Sequence, residues 1–286
     1  MNEVKNLDIN NFPPLLLEIP DKPKQLFYRG ELPIFDNYKI LCVVGRRKFS
    51  DYGKIACEKL INGLSGYPVI IVSGLALGID TISHESALKA KIITIAVPGS
   101  GLNDNVIYPS SNKNLAKRIL DSGGCLISEF KPDQKAAPYM FPQRNRVMAG
   151  MSHATLIIEC TEKSGTLITG RLAMEYNREV MTIPGNIFNE NTEGPHNLIR
   201  NGATLIRNSD DILESLGLVK NTASVEMNTG DCTDEEILLL EILIEPKSKD
   251  DLYEISGLEI SNFNMAITNL ELKGLIVESL GKFQKY

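Results

Sequence analysis

The sequence predicts an α/β fold of the doubly wound type, with a mostly parallel sheet, followed by a small helical domain. Short apolar runs rich in valine and isoleucine recur from residue 39 onward, and segments of helical length separate most of them. Apolar strands that alternate with helices indicate a parallel sheet covered on both faces. Residues 219–230 lack helical periodicity, and the periodicity resumes after residue 231.

The elements follow in a regular order. Residues 1–38 are a proline-rich lead-in segment that is too short for a domain, so we expect it to pack on the core. The doubly wound domain spans residues 39–218. Its predicted strands are KILCVVG, PVIIVSG, IITIAVPG, CLIS, ATLIIEC and VMTIPG. Its predicted helices cover roughly 51–64, 80–90, 110–121, 142–150 and 165–177.

A linker and a second domain complete the chain. Residues 219–230 are rich in Thr, Ser, Asn and Gly and predict a linker. Residues 231–286 predict three helices, TDEEILLLEILI, KSKDDLYEIS and LEISNFNMAITNLELKG, and then two strands that flank a turn at Gly281. Three helices and a hairpin indicate a winged helix-turn-helix domain.

Composition excludes several classes of protein. The chain is 43% apolar and 23% charged, as ordinary globular proteins are. No run of eighteen apolar residues occurs, so we expect no membrane span. The first residues are polar and acidic, which favours the cytoplasm over secretion. The five cysteines lie far apart, and we expect reduced thiols, no metal and no cofactor.

The net charge of −6 is unevenly distributed. Residues 231–286 hold 5 lysines and 12 acids, which gives 5 − 12 = −7. The remaining residues hold 25 basic and 24 acidic side chains, which gives 25 − 24 = +1, and they include all ten arginines. The larger domain therefore has the charges for a basic patch, despite the acidic total.

Candidate anion sites follow the predicted strands, because ligands of open parallel sheets bind beyond the carboxyl ends of the strands. GRRKFSDYG places a glycine turn and three cations before a helix start, and the glycines of SGLALGID let backbone approach a ligand. The fingerprint GxGxxG and the strings GKS and GKT are absent. The candidates are Arg46, Arg47, Ser50, Ser73, Gly74, Gly78, Lys113, Lys163, Ser164 and Gly165.

The sequence contains no recognisable catalytic centre. His84, His153 and His196 lie far apart without HExxH spacing, and no GxSxG occurs. Asp80 and Glu85 are more simply explained as residues that cap and solvate a helix. Anion sites therefore outnumber catalytic candidates, as expected for a protein that accepts a polynucleotide backbone.

The stretch FPQRNRVMAG supplies two more cations and an aromatic ring. If Pro142 starts a helix, Arg144 and Arg146 point about 200° apart at 3.6 residues per turn. We expect Arg144 to brace the pocket through a carboxylate and Arg146 to face solvent and DNA. Phe141, just outside the helix, becomes a candidate platform on which a base stacks, and Tyr139 and Phe49 are the alternatives.

Seven strings occur in an order that matches a known family: GRRKFSDYG, SGLALGIDTISHESAL, TIAVPGSGLNDNVIYP, LISEF, FPQRNRVMAGMS, KSGTLITGRLAMEYNREVMTIPG and NLIRNGATLI. Over roughly 39–210 the chain resembles the DNA-processing protein A family, also called DprA or Smf, whose larger domain is Rossmann-like. The ending ITNLELKGLIVES is similar to the family's winged helix. Some members carry a helical N-terminal domain, which residues 1–38 are too few to form.

The resemblance implies a protein that is not an enzyme. Family members bind single-stranded DNA, dimerise through the Rossmann-like domain, protect incoming DNA and load the RecA recombinase in natural transformation. The family's motif residues fall on Arg47, Ser73, Gly74, Gly78, Phe141, Arg144, Asn145 and Arg146. One departure is Arg46, where the family usually has serine or threonine.

Two other functions stay open at this point. Related folds bind or hydrolyse nucleotides with a PGGxGT loop, and PGSG at 98–101 matches this motif only in part. Alternatively, the winged helix reads duplex DNA. Against that, its third helix contains no arginine and the segment carries −7, which should repel phosphate.

Overall fold

The computed structural model describes residues 3–161, 164–218, 232–243, 247–279 and 281–285. These residues belong to two compact units, which divide between residues 218 and 232. The linker that the sequence predicts over 219–230 lies outside the described residues. Within the described part, no helix is both long and apolar enough to cross a bilayer.

The larger unit is a mixed α/β structure. Its strands are β1 (Lys5–Leu7), β2 (Leu26–Gly30), β3 (Lys39–Val44), β4 (Val69–Ser73), β5 (Thr94–Ala96), β6 (Cys125–Ser128), β7 (Ala154–Ile157), β8 (Glu179–Thr182) and β9 (Thr204–Leu205). Its helices are α1 (Pro14–Glu18), α2 (Asp51–Asn62), α3 (Ile79–Lys89), α4 (Lys113–Asp121), α5 (Met140–Met151), α6 (Thr166–Glu175), α7 (Glu193–Arg200) and α8 (Ser209–Ser215).

The strands form one sheet in the order β1-β2-β6-β5-β4-β3-β7-β8-β9. The seven strands from β6 to β9 in this order are parallel, and β2 and β1 add antiparallel to the β6 edge. The predicted doubly wound, mostly parallel sheet is thus confirmed. The sequence patterns did not indicate β1, β2 and β9, because β1 and β9 are very short and β2 lies in the irregular lead-in segment.

The sheet is buried on both faces, as its continuous apolar strands predict. Leu41 and Val43 of β3 belong to a core with α2, α3 and α8, whereas Ile40 and Val44 belong to a core with α1, α5, α6 and α7. All four side chains are less than 5% exposed. The sheet is therefore a rigid support for the loops at its two ends.

The strand order reverses beside β3. From β3 the chain runs to β4, β5 and β6 on one side, and it then returns to β7 on the other side of β3. The loops that leave β3 and β7 consequently diverge, and a crevice opens between them at the carboxyl ends of the strands. This crevice positions the candidate site.

Helix α5 begins at Met140, two residues before the start that the sequence predicts. Pro142 is tolerated inside the first turn because the first N–H groups of a helix have no intrahelical partner. Phe141 therefore lies within the helix rather than just outside it, and the helix fixes its direction.

The smaller unit contains α9 (Asp234–Ile242), α10 (Lys249–Ser256) and α11 (Ile260–Leu272), and the strands β10 (Lys247–Ser248), β11 (Ile276–Ser279) and β12 (Lys282–Lys285). Thr233 and Glu236 form a capping box at the start of α9. Phe263, Ile267 and Leu270 of α11 are buried in its core. The predicted helices and hairpin are present, and the classification as a winged helix stays a prediction.

Candidate nucleic-acid interface

A cavity of about 420 Å³ lies at the carboxyl ends of β3 and β7. The turn after β3, the first turns of α5 and the entry to α6 supply its walls. Among the sequence candidates, the residues that line it are Arg46, Arg47, Phe141, Arg144, Asn145, Ser164 and Gly165. The structure thus brings together candidates that are up to 119 residues apart, from 46 to 165.

The turn after β3 presents cations on a fixed backbone. Arg47 and Lys48 are exposed, and both line the cavity. Ser50 caps α2 by accepting from the N–H of Gly53, and its own N–H and hydroxyl donate to the carboxylate of Glu159. Ser50 therefore anchors the turn to buried Glu159 and does not itself line the cavity.

Arg46 joins this turn to the loop that follows β8. Its guanidinium donates to the side chain of Asn191 and pairs with Glu190 at 3.3 Å. The Arg46 side chain is 23% exposed, so part of it still faces the cavity. An exposed pair of this kind is weak, and a phosphate can compete for the arginine.

Arg144 is buried and forms part of the cavity wall. Its Nη1 donates to the carbonyl oxygen of Val97 at 2.6 Å. The guanidinium lies directly over Gly74, where an added Cβ would be only 1.7 Å from Nη1. The expected carboxylate is Asp80, which acts on Arg144 through its charge. Burial lowers the pKa of Arg144, and Asp80 opposes that shift.

Asp80 organises the turn after β4. Its Oδ2 accepts from the N–H groups of Gly74 at 3.1 Å and Ala76 at 3.3 Å. Burial raises the pKa of Asp80, whereas Arg144 and these two N–H groups lower it. Among the described lining residues, Asp80 is the single carboxylate against Arg46, Arg47, Lys48 and Arg144. The cavity is therefore positive.

The turn after β4 packs beneath the arginines of the cavity through Ser73, Gly74 and Gly78. The Ser73 hydroxyl donates to the carbonyl of Val43 at 2.7 Å. Gly78 has φ +86°, and an added Cβ there would lie 2.3 Å from the carbonyl oxygen of Arg46. The glycines were expected to let backbone approach a ligand. In the structure, the Arg144 guanidinium fills the space at Gly74, and the backbone of Arg46 and Arg47 fills the space at Gly78. Gly74 also lines a smaller adjoining cavity of about 30 Å³.

Phe141 forms an aromatic platform at the edge of the cavity. Its ring packs over Gly99, where an added Cβ would lie 2.6 Å from the ring, and it is tilted 49° against Tyr108 at 5.7 Å. The guanidinium carbon of Arg47 is 5.8 Å from the ring centroid. This arrangement is suited to a nucleotide, because the cation pairs with the phosphate and an aromatic ring stacks on the base. The sequence signals did not single out Tyr108, which is 45% exposed.

The expectation that Arg146 faces solvent is wrong. Its side chain is 16% exposed, it pairs with Glu129 and Asp21, and it does not line the cavity. The reason is that the face of α5 opposite Arg144 packs against the lead-in segment and the segment after β6. Lys113 is exposed near Asp104 and also lies outside the cavity lining. Lys163 lies outside the described residues.

Known proteins share this fold and much of this sequence. The family model for DNA recombination-mediator protein A matches residues 4–217. Protein Smf of Escherichia coli K12 is 43% identical over 209 residues, which is 73% of this chain and 55% of Smf. The chain thus matches little more than half of the length of that relative.

Two solved structures resemble the larger unit. The X-ray structure of DNA processing protein A from Streptococcus pneumoniae has a TM-score of 0.68 and 38% identity, covering 74% of each chain. A structure that describes the single-stranded DNA binding mode of DNA processing protein A from Helicobacter pylori has a TM-score of 0.67 and 29% identity, covering 75% of this chain and 95% of that one. Sequence, fold and ordered motifs agree, and the chain belongs to the DNA recombination-mediator protein A family.

Proposed function

We propose that this chain binds single-stranded DNA, protects it, and loads the RecA recombinase onto it in natural transformation and recombination. The observation that carries the proposal is Arg47 over the ring of Phe141, at the edge of a positive cavity. A guanidinium neutralises a phosphate, and the ring beside it stacks with the adjoining base.

The geometry favours a single strand over a duplex. The Phe141 ring can stack on a base only if the face of that base is free. In a duplex, the neighbouring base pairs cover both faces of each base. The cavity of about 420 Å³ accommodates a group of small-ligand size, such as one unstacked nucleotide. Single-stranded DNA binding by the Helicobacter pylori protein supports the same conclusion for this chain.

The RecA partner, a homodimer through the Rossmann-like domain and a cytoplasmic location are proposals that rest on family membership. We also propose that the chain is not an enzyme. Asp80, the carboxylate of the cavity, is occupied by two backbone N–H groups and the charge of Arg144. It is thus a structural group rather than a free acid or base.

The proposal is tested by fluorescence anisotropy with labelled single- and double-stranded oligonucleotides. The wild type should prefer the single strand, with an affinity that falls steeply with salt. Phe141→Ala should cost about 1–3 kcal/mol of binding free energy. Arg47→Ala should weaken binding about equally for all base sequences and reduce the salt slope by about 1.

Arg200→Ala is the matched control, because Arg200 is an exposed arginine at the end of α7 and does not line the cavity. Its affinity should stay within twofold of the wild type. Binding that does not depend on salt, or unchanged affinity in both cavity variants, would refute the proposal. Release of base or ribose phosphate from a mononucleotide would instead support the nucleotide-hydrolysing alternative.

A further inference from the structure

The loop after β8, residues 183–192, exposes two large apolar side chains. Phe188 is 90% exposed and Ile187 is 75% exposed. Single exposed apolar residues are ordinary, but a phenylalanine that buries almost nothing contributes little to folding. An exposed aromatic ring on a loop beside the candidate cavity is well placed to contact a ligand, because binding residues are often on loops.

Contacts within and around the loop hold it in place. The Asn186 side chain accepts from the N–H of Phe188 at 2.9 Å, and the Thr192 hydroxyl donates to the carbonyl of Asn189 at 2.7 Å. The Tyr52 hydroxyl donates to the carbonyl of Pro184 at 2.7 Å, which ties the loop to the start of α2. Phe188 is therefore presented by an ordered loop, so little ordering entropy is lost when a ligand binds.

The loop lies next to the cavity along the same edge of the sheet. Strand β8 is the neighbour of β7, and β7 is the neighbour of β3. The end of β8 is thus two strand spacings, about 10 Å, from the end of β3. Arg46 lines the cavity and also contacts Asn191 and Glu190 of the loop, so one side chain connects the two features.

We propose that Phe188 is a second stacking platform, on which a base of single-stranded DNA stacks after the strand leaves the cavity. The inference rests on the proposed function and extends it. An arginine and an aromatic ring occur at both features: Arg47 lies over Phe141, and Arg46 contacts the loop that carries Phe188. This pairing is what a strand of phosphates and bases requires.

The tip of the loop, residues 186–189, is uncharged and is therefore compatible with the approach of DNA. The residues 186–189 are Asn, Ile, Phe and Asn, without a carboxylate to repel phosphate. Glu190, the first acid after the tip, pairs with Arg46 at 3.3 Å, and a phosphate can displace it because this exposed pair is weak. The amide groups of the asparagines are able to donate to phosphate or to base edges.

The chain contains no tryptophan, so Phe188→Trp introduces a single tryptophan, which can be excited selectively over the nine tyrosines. An oligo-dT of about 16 nucleotides should quench its fluorescence, whereas one of about 2 nucleotides is too short to span both features and should occupy the cavity without doing so. A long oligonucleotide that is abasic throughout should also leave the fluorescence unchanged, because phosphates alone do not stack.

Affinity provides the second measurement. Phe188→Ala should bind the long oligo-dT about five- to a hundredfold more weakly and the short one equally well. Ile187→Ala, the matched control, removes an exposed side chain that has no ring and should change the affinity less than twofold. All three variants should keep the wild-type melting temperature, because both side chains are largely exposed.

The outcomes separate this inference from the proposed function. Wild-type affinity of Phe188→Ala for the long oligonucleotide, together with an unquenched tryptophan, would overturn the second platform. In that case, weakened binding by Phe141→Ala would leave the proposed function standing without a second platform. If the wild type binds no single-stranded DNA of either length, both proposals fail.

Discussion

At the scale of single residues, Arg144 shows how a buried cation is accommodated in the first turns of a helix. The N-terminal end of a helix disfavours positive charge. Here the guanidinium has a backbone acceptor at Val97 and a countercharge at Asp80. It also has room, because residue 74 lacks a side chain beneath it. A neutral acceptor, an acid and a glycine together stabilise this arginine.

Gly74→Ala tests that arrangement. The new Cβ would meet the Arg144 guanidinium at 1.7 Å, so the arginine must move away from Val97. We expect the free energy of unfolding, measured in urea, to fall by about 1–3 kcal/mol. Gly165→Ala is the control, because nothing lies within 4 Å of its added Cβ, and its stability should be unchanged. Equal stability of the two variants would show that the guanidinium is not held at Gly74.

At the scale of elements, α5 has two polar faces with different tasks. Arg144 and Asn145 line the cavity, and Arg146 pairs with Glu129 and Asp21 away from it. The helix therefore links the cavity to the segment after β6 and to the lead-in segment. The Phe141 platform depends on that attachment, because its direction follows the helix axis.

Arg146→Ala should destabilise the fold by about 2–3 kcal/mol at pH 8, since it leaves the carboxylate of Glu129 without its guanidinium. Burial raises the pKa of Glu129 and Arg146 lowers it, so in the variant this pKa rises further. A carboxyl group with a raised folded-state pKa destabilises the fold as the pH rises through that pKa. The loss should therefore shrink as the pH falls toward 5, as measured by chemical denaturation across this range.

The control for that series is Arg171→Ala, which removes an exposed arginine from the neighbouring helix α6 and should have little effect at either pH. A loss in Arg146→Ala that is equal at pH 5 and pH 8 would mean that packing by the arginine stem, and not its charge, stabilises this junction.

At the scale of the whole molecule, charge is divided between the two units of the chain. Residues 231–286 carry −7 and the rest carries +1, from 25 basic and 24 acidic side chains. Among the described residues, the positive cavity lies in the larger unit. The acidic segment contributes a field that opposes the approach of a polyanion at low salt.

Removal of residues 231–286 should therefore raise the affinity for single-stranded DNA at about 0.05 M salt, by at most about tenfold. The gain should vanish at 1 M salt, where the Debye length is about 3 Å. Anisotropy titrations of the full and shortened chains at both salt concentrations measure this effect. Lower affinity of the shortened chain at low salt would instead show that the acidic segment favours the binding of single-stranded DNA.

Much of the fold follows from local signals. The strands β3 to β8 and the helices between them arise from runs of apolar residues and helical periodicity, which depend only on neighbours along the chain. Strand β9 and the antiparallel pair β1 and β2 were not predicted, because they are short or irregular and take their positions from pairing with strands distant in sequence.

The cavity was predicted in part. The ends of the predicted strands indicated Arg47, because a parallel sheet collects the ends of its strands at one edge. Phe141 and Arg144 were indicated by the stretch FPQRNRVMAG and by the family motifs. Tyr108 and Glu159 were missed. Their roles depend on Phe141 and on Ser50, and neither pairing leaves a local signal.

The sequence by itself determined the parallel sheet, the edge of that sheet at which the cavity lies and the family, since all three depend on the order and spacing of residues along the chain. Only the tertiary structure decided between the two arginines of FPQRNRVMAG. Periodicity places them on opposite faces of α5, but it does not say what covers each face. Asp21 and Glu129 cover Arg146, whereas the cavity lies beside Arg144. The reason is that the lead-in segment and the segment after β6, which are distant in sequence from α5, pack against one side of this helix and leave the other side free.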